Sequence, residues 1–186
     1  MNDLIQNRIV ESIMTKTKVK DMTPEIAKAA KELISCLKAG NKILICGNGG
    51  SAADAQHFAA ELVGRYKKER KGLACIALTT DSSILTAWSN DYEYATVFSR
   101  QLQSLGKKGD IFFGISTSGN SENVMEAVKA AKESGIRSIC LLGKDGGKLK
   151  EMCDISLVVS SNDTPRIQES HIMIIHILCE LIDNEF

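Results

Sequence analysis

The stretch Ile111-Phe-Phe-Gly-Ile115-Ser116-Thr117-Ser118-Gly119-Asn120-Ser121 carries two patterns in succession. It opens as a short apolar run, the pattern of a strand buried on both faces. Four hydroxyl residues, with a glycine and an asparagine among them, then precede a helical pattern that ends at Gly135. The same alternation recurs on either side. Lys42-Ile-Leu-Ile-Cys46 passes through Gly47-Asn-Gly-Gly-Ser51 into a helical pattern that closes near Gly64. Ala74-Cys-Ile-Ala-Leu78 passes through Thr79-Thr-Asp81 into helical stretches that close near Gly106. Arg137–Leu142 and Ile155–Val159 complete five strand candidates, and a long helix follows Asp163-Thr164-Pro165. Upstream, Leu4, Ile5, Ile9 and Ile13 recur at helical spacing and predict a helix over 3–16. A second helix opens at Thr23-Pro24 and closes at Gly40. Both prolines stand at predicted helix starts, which supports this register. Short apolar strands alternating with helices imply a parallel sheet covered on both sides. The expected fold is therefore α/β: a three-layer αβα sandwich around a five-stranded parallel sheet, preceded by a helical hairpin.

The chain has 186 residues, one domain's worth, and no linker or internal repeat divides it. Residues 1–40 are expected to form the hairpin and residues 41–186 the α/β core. Lys plus Arg and Asp plus Glu both number 23, so the formal net charge is zero. That balance argues against a general nucleic-acid or anionic-membrane binder. Charges interrupt every apolar run, so none spans a bilayer, and the start Met1-Asn2-Asp3-Leu4 lacks the character of a signal peptide. A cytoplasmic location is expected. The six cysteines include no C-x-x-C pair, and Cys46, Cys75 and Cys140 lie in strand-like runs. They are expected to be reduced and inert.

Ligands of open parallel sheets bind beyond the carboxyl ends of the strands, where two loops have unusual chemistry. Ser116, Thr117, Ser118 and Ser121 stand at a helix N-terminus, where free N–H groups and the helix dipole favour an anion. One or two hydroxyls would suffice to cap the helix, so the excess points to phosphate. In Gly47-Asn48-Gly49-Gly50-Ser51 the glycines allow close backbone approach to a ligand, or simply a tight turn. Neither the dinucleotide-binding nor the Walker pattern is present.

These motifs resemble a known family. A strand followed by S-T-S-G-N-S opening a helix is the phosphosugar signature of the sugar isomerase (SIS) domain. The stretch Gly47-Asn-Gly-Gly-Ser-Ala-Ala-Asp-Ala-Gln-His-Phe-Ala-Ala-Glu-Leu-Val-Gly-Arg-Tyr66 is similar to the phosphoheptose isomerases within it. So are Asn90-Asp91, Gly146-Gly147-Lys148 and Arg166-Ile-Gln-Glu-Ser-His171 leading to His176. The resemblance implies a cytoplasmic homotetramer that converts sedoheptulose 7-phosphate to D-glycero-D-manno-heptose 7-phosphate. That is the first step toward the ADP- or GDP-heptose precursors of bacterial lipopolysaccharide or capsule. It further implies substrate contacts from Asn48, Gly49, Gly50, Glu61, Asn90, Asp91, Ser116, Thr117, Ser118, Ser121 and Gln168, with Ser51 and Arg65 as weaker candidates. Pro165 departs from the polar residue that some relatives carry there.

His57 and Glu61 are four apart on a predicted helix, so they share a face and are able either to hold one divalent ion or to form a plain surface pair. In the last helix, spacing favours Gln168 with His171, whereas the resemblance places the functional histidine at His176. The resemblance implies a zinc set of His57, Glu61, Gln168 and His176, and leaves His171 to packing. Moving a carbonyl between C2 and C1 needs a base and a group that stabilises the enediolate oxygen. Glu61 is the candidate base and His176 its acid partner. Two other readings stand beside this one: a non-catalytic SIS module that binds the replication initiator, and an SIS isomerase for another sugar phosphate.

Overall fold

A computed structural model describes residues 1–186. Five parallel strands form one sheet in the order β2-β1-β3-β4-β5: β1 Ile43–Cys46, β2 Cys75–Ala77, β3 Ile111–Ser116, β4 Arg137–Gly143 and β5 Ile155–Val159. Each alternates its side chains between two helical layers. Ile43 and Ile45 of β1 and Ile111, Phe113 and Ile115 of β3 pack with α2 (Thr23–Lys38), α3 (Gly50–Val63) and α8 (Thr164–Asp183). Leu44, Cys46 and Phe112 face the opposite layer, formed by α4 (Ser82–Asp91), α5 (Val97–Leu105), α6 (Glu122–Glu133) and α7 (Leu149–Met152). With apolar contacts on both faces, the strands need no alternation of polar and apolar residues, and β3 is buried throughout.

The two prolines sit in the first turns of α2 and α8, as expected. All six cysteines are free, and only Cys153 is not fully buried. No helix is long and apolar enough to cross a membrane.

The N-terminal pair differs from a closed hairpin in one respect. α2 lays Ile26, Ala29, Ala30 and Leu33 against the sheet and is part of the sandwich. α1 (Asn2–Lys18), joined to it by a short 3-10 turn over Val19–Met22, packs on α8. Polar contacts fasten it there: Ser12 Oγ donates to Glu169 Oε2 at 2.6 Å, and Arg166 donates to the Arg8 carbonyl at 2.7 Å. Thr15 is the only buried residue of α1, so its apolar residues find no cover within the chain.

The strand order reverses direction between β1 and β3, which places a crevice beyond their carboxyl ends. The glycine loop leaves β1 there, and the hydroxyl loop leaves β3.

Candidate active site

In the hydroxyl loop, Ser121 holds the N-cap position of α6, yet its side chain makes no capping bond. Its Oγ lies 2.8 Å from Ser116 Oγ, which in turn lies 3.4 Å from Ser118 Oγ. The Thr117 hydroxyl has no partner within the chain. Ser118 Oγ accepts the Asn120 N–H of the loop at 3.1 Å, but the Ser121 side chain does not cap α6, and the hydroxyls cluster at the positive end of its dipole. Gly119 makes the turn possible. It adopts φ +66°, and a Cβ there would lie 2.0 Å from the Gly146 carbonyl oxygen. Asn120 secures the same contact by accepting the Lys148 N–H at 3.1 Å.

Across the crevice, Asn48 pairs with Asn123 of α6 through two amide hydrogen bonds of 2.9 Å, one in each direction. The Tyr94 hydroxyl donates to the same Asn48 Oδ1 at 3.1 Å. The Gln168 carboxamide occupies the space that a Cβ on Gly50 would need, with its Nε2 2.5 Å from that position. Gln168 thus sits at the start of α3, beside the glycine loop. Asn90 donates to Asp91 Oδ1 at 2.9 Å, and both lie exposed at the end of α4 with no bond to the other candidate residues. Ser51 is buried under the loop. Arg65 points to solvent and pairs with Glu69 at 3.3 Å.

Further along α3 a second group converges. His57 Nε2 lies 3.0 Å from Glu61 Oε1 and 3.2 Å from His176 Nε2 of α8. The Tyr66 ring stacks on His176, with 5.7 Å between centroids. The separation of α3 and α8 here is fixed from below by a buried ion pair, Arg70 to Asp183 at 2.6 Å. Arg70 also donates to the Glu61 carbonyl at 3.0 Å. Burial alone would raise the Asp183 pKa, but the N–H groups of Lys68 and Lys67 and the Arg70 guanidinium outweigh it and hold the carboxyl low. His171 turns the other way, into the sheet. Fully buried, it lies 3.0 Å from the Leu142 carbonyl, and burial depresses its pKa to about 4.

A model of the SIS domain family matches residues 8–143. The chain is 60% identical to a phosphoheptose isomerase of Helicobacter hepaticus, over 100% of this chain and 94% of that one. Among solved structures, a phosphoheptose isomerase of Neisseria gonorrhoeae superposes with a TM-score of 0.94 at 48% identity, covering 98% of both chains. One from Francisella tularensis gives 0.95 at 41% identity, covering 98% of this chain and 97% of that one.

The chain belongs to the phosphoheptose isomerase family of SIS domains.

For a phosphoheptose isomerase, the polar cluster on α3 and α8 presents donor chemistry suited to zinc. His57 Nε2 carries either one proton or one lone pair, yet it faces two acceptor-capable atoms at bonding distance. Ligand atoms of tetrahedral zinc stand about 3.3 Å apart, given bonds of about 2.0–2.1 Å. The spacings of 3.0 and 3.2 Å match such edges. The three side chains do not yet enclose a common centre, and no group of three or more His, Cys, Asp or Glu side chains is in place to hold an ion. Gln168 stands apart from them. It is eight residues before His176 on one straight helix, about 12 Å away along the axis.

Sequence reasoning missed Asn123, Tyr94 and Tyr66. Asn123 directly follows Ser121-Glu122, where an asparagine inside a helix has no local reason to stand. That was the available signal.

Proposed function

We propose that the chain interconverts sedoheptulose 7-phosphate and D-glycero-D-manno-heptose 7-phosphate in the cytoplasm, supplying heptose for bacterial lipopolysaccharide or capsule. The observation that carries this reading is the convergence of Glu61, His57 and His176. A carboxylate beside two imidazoles is what proton transfer between adjacent carbons requires. Glu61 takes the proton from C1 of the ketose and returns it to C2. His176 donates to the C2 oxygen as enediolate charge develops there and takes a proton back from the C1 hydroxyl, while His57 holds the Glu61 carboxylate in place. The hydroxyls of Ser116, Thr117, Ser118 and Ser121 hold the phosphate. Asn48, Gly49, Gly50, Asn90, Asp91 and Gln168 contact the sugar.

The site is assembled between subunits of a homotetramer. Glu61 lies eleven residues into α3, about 16 Å along its axis from the glycine loop. That span suits a site in which a second subunit supplies part of the contacts to one substrate. The apolar face of α1, with Leu4, Ile5, Ile9, Val10, Ile13 and Met14 all exposed, is suited to pairing subunits.

Zinc would be held by His57, Glu61 and His176, with Gln168 from a neighbouring subunit, because one α8 cannot bring Gln168 and His176 to the same ion. When bound through these atoms, it would supply Lewis acidity toward the sugar oxygens in place of the His176 proton. Turnover of sedoheptulose 7-phosphate, compared with five- and six-carbon ketose phosphates, tests the reading. Preferred turnover of the heptose supports it. Tight binding of sugar phosphate without turnover would favour a binding module instead.

A further inference from the structure

Asn48 is among the residues expected to contact the sugar, and its hydrogen-bonding capacity is almost fully used within the chain. Its Oδ1 accepts from Asn123 Nδ2 at 2.9 Å and from the Tyr94 hydroxyl at 3.1 Å, which fills both lone pairs. Its Nδ2 gives one hydrogen to Asn123 Oδ1 at 2.9 Å. What remains is a single N–H.

Asn123 is only 4% exposed and occupies the second position of α6, directly after the hydroxyl loop. Its neighbours on that helix, Val124 and Ala127, are fully buried and apolar. A carboxamide there is costly unless it is paired, and its partner is Asn48 across the crevice. Tyr94 approaches from the segment after α4, half exposed, with its hydroxyl on Asn48.

We infer that Asn123 and Tyr94 are positioning residues for the isomerase reaction. Together they lock Asn48 in the one orientation that offers its remaining N–H to an acceptor oxygen of the phosphorylated ketose. The Asn48–Asn123 pair also ties the glycine loop to the first turn of the phosphate-binding helix. The sugar contact at Asn48 and the phosphate site therefore register against one rigid unit. The inference rests on the isomerase reading above and on Asn48 touching substrate.

A double-mutant cycle on the full-length protein tests it, with steady-state kinetics and thermal melting on each variant. A residue acting through Asn48 loses its effect once Asn48 is truncated. In the wild-type background, Asn123→Ala should lower kcat/KM by about tenfold or more, and Tyr94→Phe by a smaller factor. In an Asn48→Ala background, each should change kcat/KM by less than about twofold. Tyr94→Phe removes one exposed hydroxyl and keeps the fold, so it decides the matter should Asn123→Ala melt early. Losses that multiply with that of Asn48→Ala would overturn the positioning role while leaving the isomerase reading intact. So would wild-type kinetics in Tyr94→Phe and Asn123→Ala beside an impaired Asn48→Ala. Wild-type kinetics in Asn48→Ala would overturn the Asn48 contact and this inference together, and the heptose turnover assay would still report on the reading itself.

Discussion

His57 Nε2 and His176 Nε2 lie 3.2 Å apart although 119 positions separate them in the chain. The sheet topology produces this meeting. α3 follows β1 and α8 follows the edge strand β5, and both return along the same face. Parallel strands make the two helices run side by side in the same direction. Gln168 then matches Gly50 at their starts, and His176 matches His57 two turns later.

The phosphate assignment predicts a separation of binding from stability. Ser118→Ala and Ser121→Ala should raise KM by about tenfold or more, since a hydrogen bond to a charged group is worth about 1.5–3 kcal/mol. Neither hydroxyl caps α6, so the melting temperature should hardly move. Unchanged KM for a phosphorylated ketose would remove the assignment.

The Arg70–Asp183 pair predicts the opposite pattern. Both side chains are nearly inaccessible, at 2% and 4% exposure. Asp183→Asn leaves a buried guanidinium without its counter-charge, and breaking such a pair costs about 3–5 kcal/mol. Chemical denaturation should show a loss of that order. A change below about 1 kcal/mol would mean that water reaches Arg70.

His171 predicts a pH dependence of stability. Its folded pKa of about 4 lies below the usual value of 6.5. The unfolded chain therefore binds a proton between pH 6.5 and 4 that the folded chain refuses. This contribution is complete above pH 6.5 and is lost as pH falls toward 4, in all on the order of 3 kcal/mol. Asp54 runs the other way. Burial raises its pKa to about 6, so its contribution is complete below the usual 3.8 and fades as pH rises through 6. A direct comparison isolates His171: the stability gap between wild type and His171→Gln should narrow from pH 7 to pH 4, while turnover at pH 7 stays largely intact. A gap that is constant with pH would contradict buried, neutral His171.

Much of this architecture was legible in the sequence, because apolar runs of strand length alternate with helical periods and the glycines and prolines mark their ends. The pairing of His57 with Glu61 was legible for the same local reason, the four-residue period of one helix. The partner histidine was not legible from spacing. Gln168 and His171 share a helical face by count, but His171 points at the Leu142 carbonyl, and only the packing of α8 on α3 selects His176. The Asn48–Asn123 pair depends on the adjacency of β1 and β3, so an asparagine near the start of α6 signals a paired amide without naming its partner. The open face of α1 follows from its own composition, with one buried residue and the polar contacts of Arg8 and Ser12 holding it against the domain.

The exposed face of α1 predicts assembly. Ile9→Glu with Ile13→Glu places charge on the stripe without disturbing the core, since both residues are more than half exposed. Sedimentation should show wild type as a tetramer and the double variant as smaller species with reduced activity. A wild-type monomer of 20.2 kDa with full turnover would contradict a site shared between subunits.

Whether Glu61 moves the C1 proton is read directly from exchange of that hydrogen in deuterated water. Glu61→Gln keeps size and polarity but removes the base. Exchange at C1 of bound sedoheptulose 7-phosphate, and kcat with it, should fall by about 10²- to 10⁴-fold, the usual worth of a general base. Exchange as fast as wild type in Glu61→Gln would show that Glu61 only holds the site together, and the proposed mechanism would be wrong.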